Sequence, residues 1–351
     1  MKEKLYQTLD DLISDLNLRE LDIFKKRLNL ENKKYTLASL GQKYNLTRER
    51  IRQIQNNILN KIKNKAYDHS FLKYEFFENI NSNLGKLKIK RLTYLKLKFK
   101  EDYHLDTQSL QIFDLFLRIH PEIYLFEEND IYNDFIYLKQ EYLKTLNLFT
   151  NHLLKFFSGD KIISENEFLE FLRKEIFSHF GVDLYIDEIY EFIKIFKIIK
   201  KNPFGEFGYI ENRRIVPSSL VDKIKLILMF EGKPLSFYQI YERLNEINKI
   251  EEEFIHLNWR KKYSLKTLHY ILNFYKDIFV LVGRGIYALK DLGFKEGTIV
   301  DIMREIVRKN NGLTINKLLE ELKKQRIFSE NTFTLYLYKN FKIINNKVYL
   351  K

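Results

Sequence analysis

Hydrophobic residues recur at helical spacing near the N-terminus. Ile51, Ile54, Ile58 and Ile62 follow one another at steps of three and four residues, which places them on one face of a helix that packs inward. The polar residues between them then form the opposite, exposed face. The pattern predicts a long amphipathic helix that begins just after Thr47, a residue suited to cap it.

A shorter helix precedes this one. Leu37 and Leu40 give it a buried stripe, and Gly41 removes the Cβ where the second helix crosses close by. Asn45 makes the turn, because Asn tolerates the left-handed backbone better than any residue except Gly. Leu46 fills the angle between the helices. This order predicts a helix-turn-helix, a motif that binds duplex DNA.

The N-terminal end of the second helix carries polar residues suited to read bases, and that end enters the major groove in this motif. Arg pairs bidentately with guanine, Glu accepts from the cytosine amine, and Gln pairs with adenine. The candidate base-contacting residues are Arg48, Glu49, Arg52 and Gln53.

Beyond residue 65 the patterning repeats a unit of two or three helices followed by two short β-rich runs. That order is typical of a winged helix. We therefore predict a mainly α fold, an N-terminal helix-turn-helix followed by tandem winged-helix modules with short β-hairpin wings. The predicted domains are 1–66 for the helix-turn-helix, and 67–139, 140–216, 217–293 and 294–351 for the winged helices.

Turn residues mark the predicted hairpins. They are Asn129-Asp130, Pro203 with Gly205, the sequence GRG at 283–285, and Asn345-Asn346. GRG lies between two predicted strands rather than between a strand and a helix, so we interpret it as a turn and not as a phosphate loop. Arg284 at its tip is a candidate secondary DNA contact.

Positive charge is concentrated at the two ends of the chain. Residues 33–65 hold nine Lys or Arg against one Glu, and residues 297–351 hold eleven against five acids, whereas residues 66–296 are balanced. Clustered basic charge favours contact with phosphate. The distribution is typical of a protein that binds nucleic acid through its ends.

The segment TLASLGQKYNLTRERIRQI resembles region 4 of the primary sigma factor family, the module that reads the minus-thirty-five promoter element. Residues 16–30, LNLRELDIFKKRLNL, resemble the lead-in helix of that region, and the resemblance covers about residues 10–65. It implies base contacts by the four residues named above. It also implies phosphate contacts by Thr36, Thr47 and Arg50, to which we add Lys43 and Lys61.

The sequence departs from that family at specific positions. The family usually has Glu at the position of Gln55, and a carboxylate in the first helix where Ala38 and Ser39 stand. The target sequence and any contact with RNA polymerase therefore do not follow from the resemblance.

Residues 202–292 resemble the HARE-HTH family, winged helices found in the delta subunit of bacterial RNA polymerase and in some chromatin and restriction proteins. The motifs GKPL and GRGIYAL carry this resemblance. It implies a DNA-binding, transcription-associated protein without a known catalytic activity. The helix that begins near Ser264 is the candidate recognition helix, with Lys266, Thr267 and Tyr270 as candidate secondary DNA contacts. The neutral middle of the chain leaves protein contact and DNA contact equally open there.

The sequence gives little support for a metal site, a cofactor or an enzyme. The chain has no Cys, and its seven His residues lack ligand spacing, so we expect no metal, no cofactor and no thiolate site. His269, in an apolar stretch, is interpreted as structural. No nucleophile elbow, HExxH or paired-carboxylate motif is recognisable, and we expect no enzyme, although a nuclease built from scattered acids stays open.

The N-terminal segment mixes acids into an amphipathic pattern, which is typical of neither a signal peptide nor a transit peptide. No apolar run reaches membrane-spanning length, so we expect a cytoplasmic, nucleoid-associated protein.

Together the patterns predict a sequence-specific, double-stranded DNA-binding transcription regulator that lacks the other sigma modules. The expected partner is double-stranded DNA, with contact to the RNA polymerase core left open and with no membrane. Two alternatives stay open: a polymerase accessory subunit acting mainly through protein contacts, and a DNA-targeting component of a restriction or defence system.

Overall fold

A computed structural model describes residues 1–28, 30, 33, 35–310 and 312–351. The chain is mainly helical with small antiparallel sheets, which confirms the predicted fold class at that level. It divides into two compact units, Met1–Ile199 and Lys200–Lys351. Among the described residues, no helix combines the length and apolar character needed to cross a bilayer.

The first unit is built mostly from helices. They are α1 Lys2–Ile13, α2 Leu18–Arg27, α3 Leu37–Tyr44, α4 Arg48–Asp68, a π-helical turn Phe71–Phe76, α5 Phe77–Asn83, α6 Leu92–Asp102, α7 Thr107–Ile119, α8 Gln140–Phe156, α9 Glu165–Phe180 and α10 Ile186–Ile193. Its strands are β1 Ile89–Arg91, β2 Tyr124–Phe126, β3 Phe135–Tyr137 and β4 Ile162–Ser164, with β5 Ile199–Lys201 at the boundary.

One hydrophobic core extends through much of this unit. It runs from Leu5 to Ile136 and includes Ile58 and Ile62 of α4 together with Phe76 and Phe113. The helix-turn-helix therefore shares its core with the segment that follows residue 66. The domain boundary after residue 66 stays a prediction, and it separates residues that pack together.

The second unit continues with shorter elements. They are β6 Glu206–Tyr209, α11 Leu220–Glu231, β7 Leu235–Ser236, α12 Phe237–Asn248, a 3-10 turn Leu257–Arg260, α13 Leu265–Phe274, β8 Phe279–Gly283, β9 Ile286–Leu289, a 3-10 turn Lys290–Leu292, α14 Ile299–Lys309, β10 Leu313–Thr314, α15 Ile315–Lys323, α16 Glu330–Asn340, β11 Phe341–Ile344 and β12 Lys347–Leu350.

Three of the sheets share one topology. Their strand orders are β1-β3-β2, β7-β9-β8 and β10-β12-β11, and every pair is antiparallel. In each, a short strand that precedes helices pairs with the second strand of a later hairpin. Asn345 and Asn346 both have positive φ in the last hairpin, which confirms the predicted turn and is typical of a two-residue loop.

Within the second unit, the β8–β9 hairpin packs against the segment that leads into α16. The Ile327 amide donates to the Val282 carbonyl at 2.8 Å. A Cβ on Gly283 would lie 2.9 Å from the Ile327 carbonyl oxygen, so only glycine fits this contact. The hairpin that we predicted as a wing is thus partly covered.

Candidate nucleic-acid interface

The turn between α3 and α4 has the predicted geometry. Asn45 is left-handed, with φ of 53°. A Cβ on Gly41 would lie 2.7 Å from the Leu46 carbonyl oxygen, which confirms the close crossing. Thr36 and Thr47 cap the two helices, and the Thr47 hydroxyl accepts from the Arg50 amide at 3.1 Å. These local contacts fix the angle between α3 and α4.

Burial along α4 follows the isoleucine pattern. Ile51, Ile58 and Ile62 are buried and Ile54 is partly buried. The opposite face is exposed at its N-terminal end, as expected. The exposed residues there are Arg48, Glu49, Arg52 and Gln53.

The exposed face is ordered by its own hydrogen bonds. Arg52 donates to both carboxylate oxygens of Glu49, from Nε at 2.8 Å and from Nη2 at 2.7 Å. Arg50 Nη1 donates to Gln53 Oε1 at 3.0 Å. The bonds from Arg52 lower the pKa of Glu49, so this carboxylate is an acceptor at neutral pH.

Two of the predicted phosphate contacts already have acidic partners. Lys43 Nζ lies 2.7 Å from Asp22 Oδ2 on α2, and Lys61 Nζ lies 2.7 Å from Glu20 Oε1 on the same helix. The bond from Lys61 lowers the pKa of Glu20. Thr36, Thr47 and Arg50 are exposed at the α3–α4 end of the domain. The two lysines are therefore partly neutralised by acids, whereas Arg50 bonds the uncharged side chain of Gln53.

Asp22 connects α2 to α3. Burial alone would raise its pKa, but hydrogen bonds from Lys26, Lys43 and Tyr44 outweigh burial and hold the pKa well below its ordinary value. Burial and the bond to Asp22 raise the pKa of Tyr44 to about 12. This polar cluster positions α2 beneath the helix-turn-helix.

Gln55, where the family usually has Glu, has a structural contact. It accepts from Arg27 Nε at 3.0 Å, and Arg27 Nη1 donates to the Tyr35 carbonyl at 2.7 Å. Gln55 therefore ties α4 to the end of α2.

The exposed face of α4 continues beyond the residues that we predicted. Asn56, Asn60 and Lys63 are exposed on α4 and follow Arg52 at steps of four, four and three residues, so they extend the stripe of the base-reading candidates. That spacing was readable from the sequence. It places a further cation, Lys63, on the same face of α4 as Arg52.

The candidate secondary contacts lie in the second unit. Lys266, Thr267 and Tyr270 are exposed on α13, which Ser264 caps as predicted, and Arg284 is exposed between β8 and β9. Tyr270 stacks on Phe274 with ring centroids 5.4 Å apart. The exposed surface of α13 thus combines this aromatic pair with polar side chains.

Three side chains from the first unit, none of them predicted as ligands, lie close together. His152 on α8 and the pair Glu175 and His179 on α9 bring their potential ligand atoms within 4.8 Å of one another. The i, i+4 spacing on α9 was visible in the sequence. The contribution of α8 was not, because it depends on tertiary packing.

Comparison with known proteins identifies the class of the N-terminal module. Residues 12–64 match the family described as Sigma-70, region 4, which confirms the predicted region 4 domain. Over 66 residues the chain is 42% identical to the RNA polymerase principal sigma factor HrdD of Streptomyces griseus, covering 18% of this chain and 20% of that protein.

Two further relatives give the same picture. Over 64 residues the chain is 39% identical to the RNA polymerase sigma-C factor of Nostoc sp., covering 18% of this chain and 15% of the relative. Over 75 residues it is 32% identical to the RNA polymerase sigma factor sigB of Arabidopsis thaliana, covering 21% and 13%. The chain spans about a fifth or less of the length of these curated relatives.

Proposed function

We propose that this protein is a sequence-specific, double-stranded DNA-binding regulator of transcription that reads the major groove with α4. The observation that carries the proposal is the exposed face of Arg48, Glu49, Arg52 and Gln53 within a region 4 domain. The N-terminal end of such a helix is the part that meets base edges.

Each residue on this face has a distinct assignment. Arg48 and Arg52 take guanine, Glu49 takes the cytosine amine, and Gln53 takes adenine. The two hydrogen bonds from Arg52 to Glu49 support the proposal, because they restrict the guanidinium and the carboxylate before DNA arrives. Less side-chain freedom is then lost on binding.

Phosphate contacts complete the interface. We assign them to Thr36, Lys43, Thr47, Arg50 and Lys61, with Lys63 as an addition. Lys43 and Lys61 share their charge with Asp22 and Glu20, so their contribution to affinity is smaller than that of a free cation.

The modules after the helix-turn-helix are proposed to be winged helices. The strand order shared by three sheets, with helices between the first strand and the hairpin, supports this for residues 67–139, 217–293 and 294–351. We extend the proposal to 140–216, and we retain the HARE-HTH assignment for residues 202–292. Their predicted DNA contacts are Lys266, Thr267, Tyr270 and Arg284.

A second candidate function is an accessory subunit of RNA polymerase that acts mainly through protein contacts. The observation that favours it is the apolar surface on α13 and α16. Tyr270 and Phe274 are 60% and 62% exposed, and Leu335 and Tyr338 are 63% and 64% exposed. Exposed aromatic side chains are enriched at protein interfaces.

Salt dependence tests the first proposal. Binding of the full chain to a random-sequence duplex is followed by fluorescence anisotropy at increasing salt. Arg50 and Lys63 at roughly −0.9 each, with smaller contributions from the acid-paired Lys43 and Lys61, predict a slope of log affinity against log salt between about −2 and −4. A slope near zero contradicts DNA binding.

Co-purification distinguishes the two functions. After nuclease treatment, retention of RNA polymerase that is lost in the double variant Phe274→Ala, Leu335→Ala favours the accessory subunit. Salt-dependent duplex binding that this variant retains, without polymerase retention, favours the regulator.

A further inference from the structure

His152, Glu175 and His179 form a compact cluster between α8 and α9. His152 Nδ1 lies 3.1 Å from Glu175 Oε2. The two imidazole rings meet edge to face, with centroids 4.8 Å apart and an interplanar angle of 89°. One potential ligand atom from each residue lies within 4.8 Å of the others. The three donors therefore surround one point in space.

The donor set suits a borderline transition metal. Imidazole nitrogen and carboxylate oxygen bind zinc at about 2.0–2.2 Å, and a tetrahedral site with such bonds separates its ligand atoms by about 3.3 Å. The distance of 3.1 Å between His152 Nδ1 and Glu175 Oε2 is close to that separation. Little movement of the side chains is needed to admit the ion.

The environment of His179 orients it for this role. Its Nδ1 lies 2.9 Å from the backbone carbonyl oxygen of Glu175 and 3.5 Å from Glu175 Oε2. With the proton on Nδ1 directed to the carbonyl, Nε2 is the nitrogen left to bind an ion. Hydrogen bonding of the non-ligating nitrogen to a carbonyl is the common way in which proteins fix a histidine ligand. Phe149 packs edge to face on the same ring, with centroids 5.9 Å apart.

Access to the cluster is open on one side. His152 is exposed, whereas Glu175 and His179 are half-buried. An ion can therefore enter from solvent and keep a water in its fourth position, the arrangement of three-ligand zinc sites.

We propose that His152, Glu175 and His179 form a zinc-binding site that cross-links α8 to α9. Zinc binding stabilises the folded chain, because the three ligands are not held together in the unfolded state. This role is separate from the reading of DNA by α4.

The test uses the full chain, freed of metal with a chelator and titrated calorimetrically with Zn²⁺ alone. We expect one equivalent to bind and the melting temperature to rise with zinc concentration. His179→Gln and Glu175→Gln are expected to weaken binding by at least about tenfold. His269→Gln, which changes an exposed histidine on α13, is the matched control and should bind as the unaltered chain does.

A second readout does not depend on the variants folding. Co²⁺ added to the unaltered chain should give the visible absorption bands of a four-coordinate site, and Zn²⁺ should abolish them. The proposal is overturned if these bands do not appear, or if the unaltered chain and Glu175→Gln bind zinc equally well. Equal weakening by His269→Gln also overturns it, since binding would then be non-specific.

Discussion

The helices α4 and α13 begin alike and expose different chemistry. Thr47 caps α4 and Ser264 caps α13, each accepting from the amide three residues on. Behind the caps, α4 exposes charged and amide side chains with Arg52 among them, whereas α13 exposes the stacked pair Tyr270 and Phe274. The same local architecture therefore presents a surface suited to base edges in one unit and a surface rich in aromatic area in the other.

The two surfaces differ in the free energy of exposing their side chains to water. Charged residues are well hydrated, so α4 is stable without a partner. Exposed aromatic rings lose that hydration benefit, and a cluster of them favours burial by another protein. The comparison predicts that sequence preference on DNA resides in α4, and that changes on α13 leave it unaltered.

Gly41→Ala is expected to have the largest effect. The new Cβ would lie 2.7 Å from the Leu46 carbonyl, so α3 and α4 must separate, at a cost of about 3 kcal/mol in the free energy of unfolding. DNA binding should fall with it. Chemical denaturation measures the loss, with Gln42→Ala, an exposed neighbour, as control. Equal stability of the two variants would show that the crossing is looser than described.

Gln53→Ala distinguishes a base contact from a phosphate contact. Loss of one base contact should cost about 1–3 kcal/mol at one base pair and leave other positions unchanged. Affinity measured over a panel of single-base duplex variants would show the relaxed preference. Tyr270→Ala is the matched change on α13. If it relaxes the same preference, the distinction between the two helices fails.

The free energy of unfolding of the second unit should change at alkaline pH, because its core contains a buried lysine. Lys223 is 1% exposed, donates to the Trp259 carbonyl at 3.1 Å, and burial lowers its pKa to about 8. Between pH 8 and the ordinary lysine pKa, the unfolded chain binds more protons than the folded chain, so stability rises with pH. The expected gain is on the order of 1 kcal/mol per pH unit.

Unfolding followed at pH 8 and pH 10 measures this gain, and Lys223→Met should remove it. If the variant keeps the same pH dependence, Lys223 is not its source. At acid pH the change in stability comes from the first unit. The pKa of Asp22 is held below its ordinary value, so its contribution to stability is present above pH of about 4 and is lost as the pH falls further.

The smallest effects concern the two lysines near the end of α4. Lys63 is exposed on the same face of α4 as Arg52, whereas Lys61 is bonded to Glu20. Lys63→Ala should reduce the magnitude of the salt slope by about 0.9, and Lys61→Ala should reduce it less. The anisotropy titration already described measures both. A larger change for Lys61 would mean that the pair with Glu20 opens on DNA.

The sequence predicted those features of the site that depend on near neighbours. Gly41, Asn45 and the Thr47 cap act over a few residues, so their spacing reports their role. The same holds for the hairpin turn at Asn345 and Asn346. Helix position and residue chemistry gave the base assignments, and the region 4 resemblance gave the phosphate contacts of Thr36, Thr47 and Arg50.

What could not be predicted depends on residues far apart in the chain. Lys61 meets Glu20, which lies 41 positions away, and Gly283 meets Ile327 of the segment that leads into α16. His152 joins His179 through the packing of two helices. Periodicity reports which face of a helix is buried, but it does not report which element covers that face.

The central claim is that α4 reads a DNA sequence. Selection of duplexes from a random pool by the full chain, followed by sequencing, tests it most directly, with Arg52→Ala carried through in parallel. We predict that the unaltered chain enriches one short motif containing a guanine that the variant no longer selects. If no motif is enriched, or if both proteins enrich the same motif equally, the exposed face of α4 is not the reading surface.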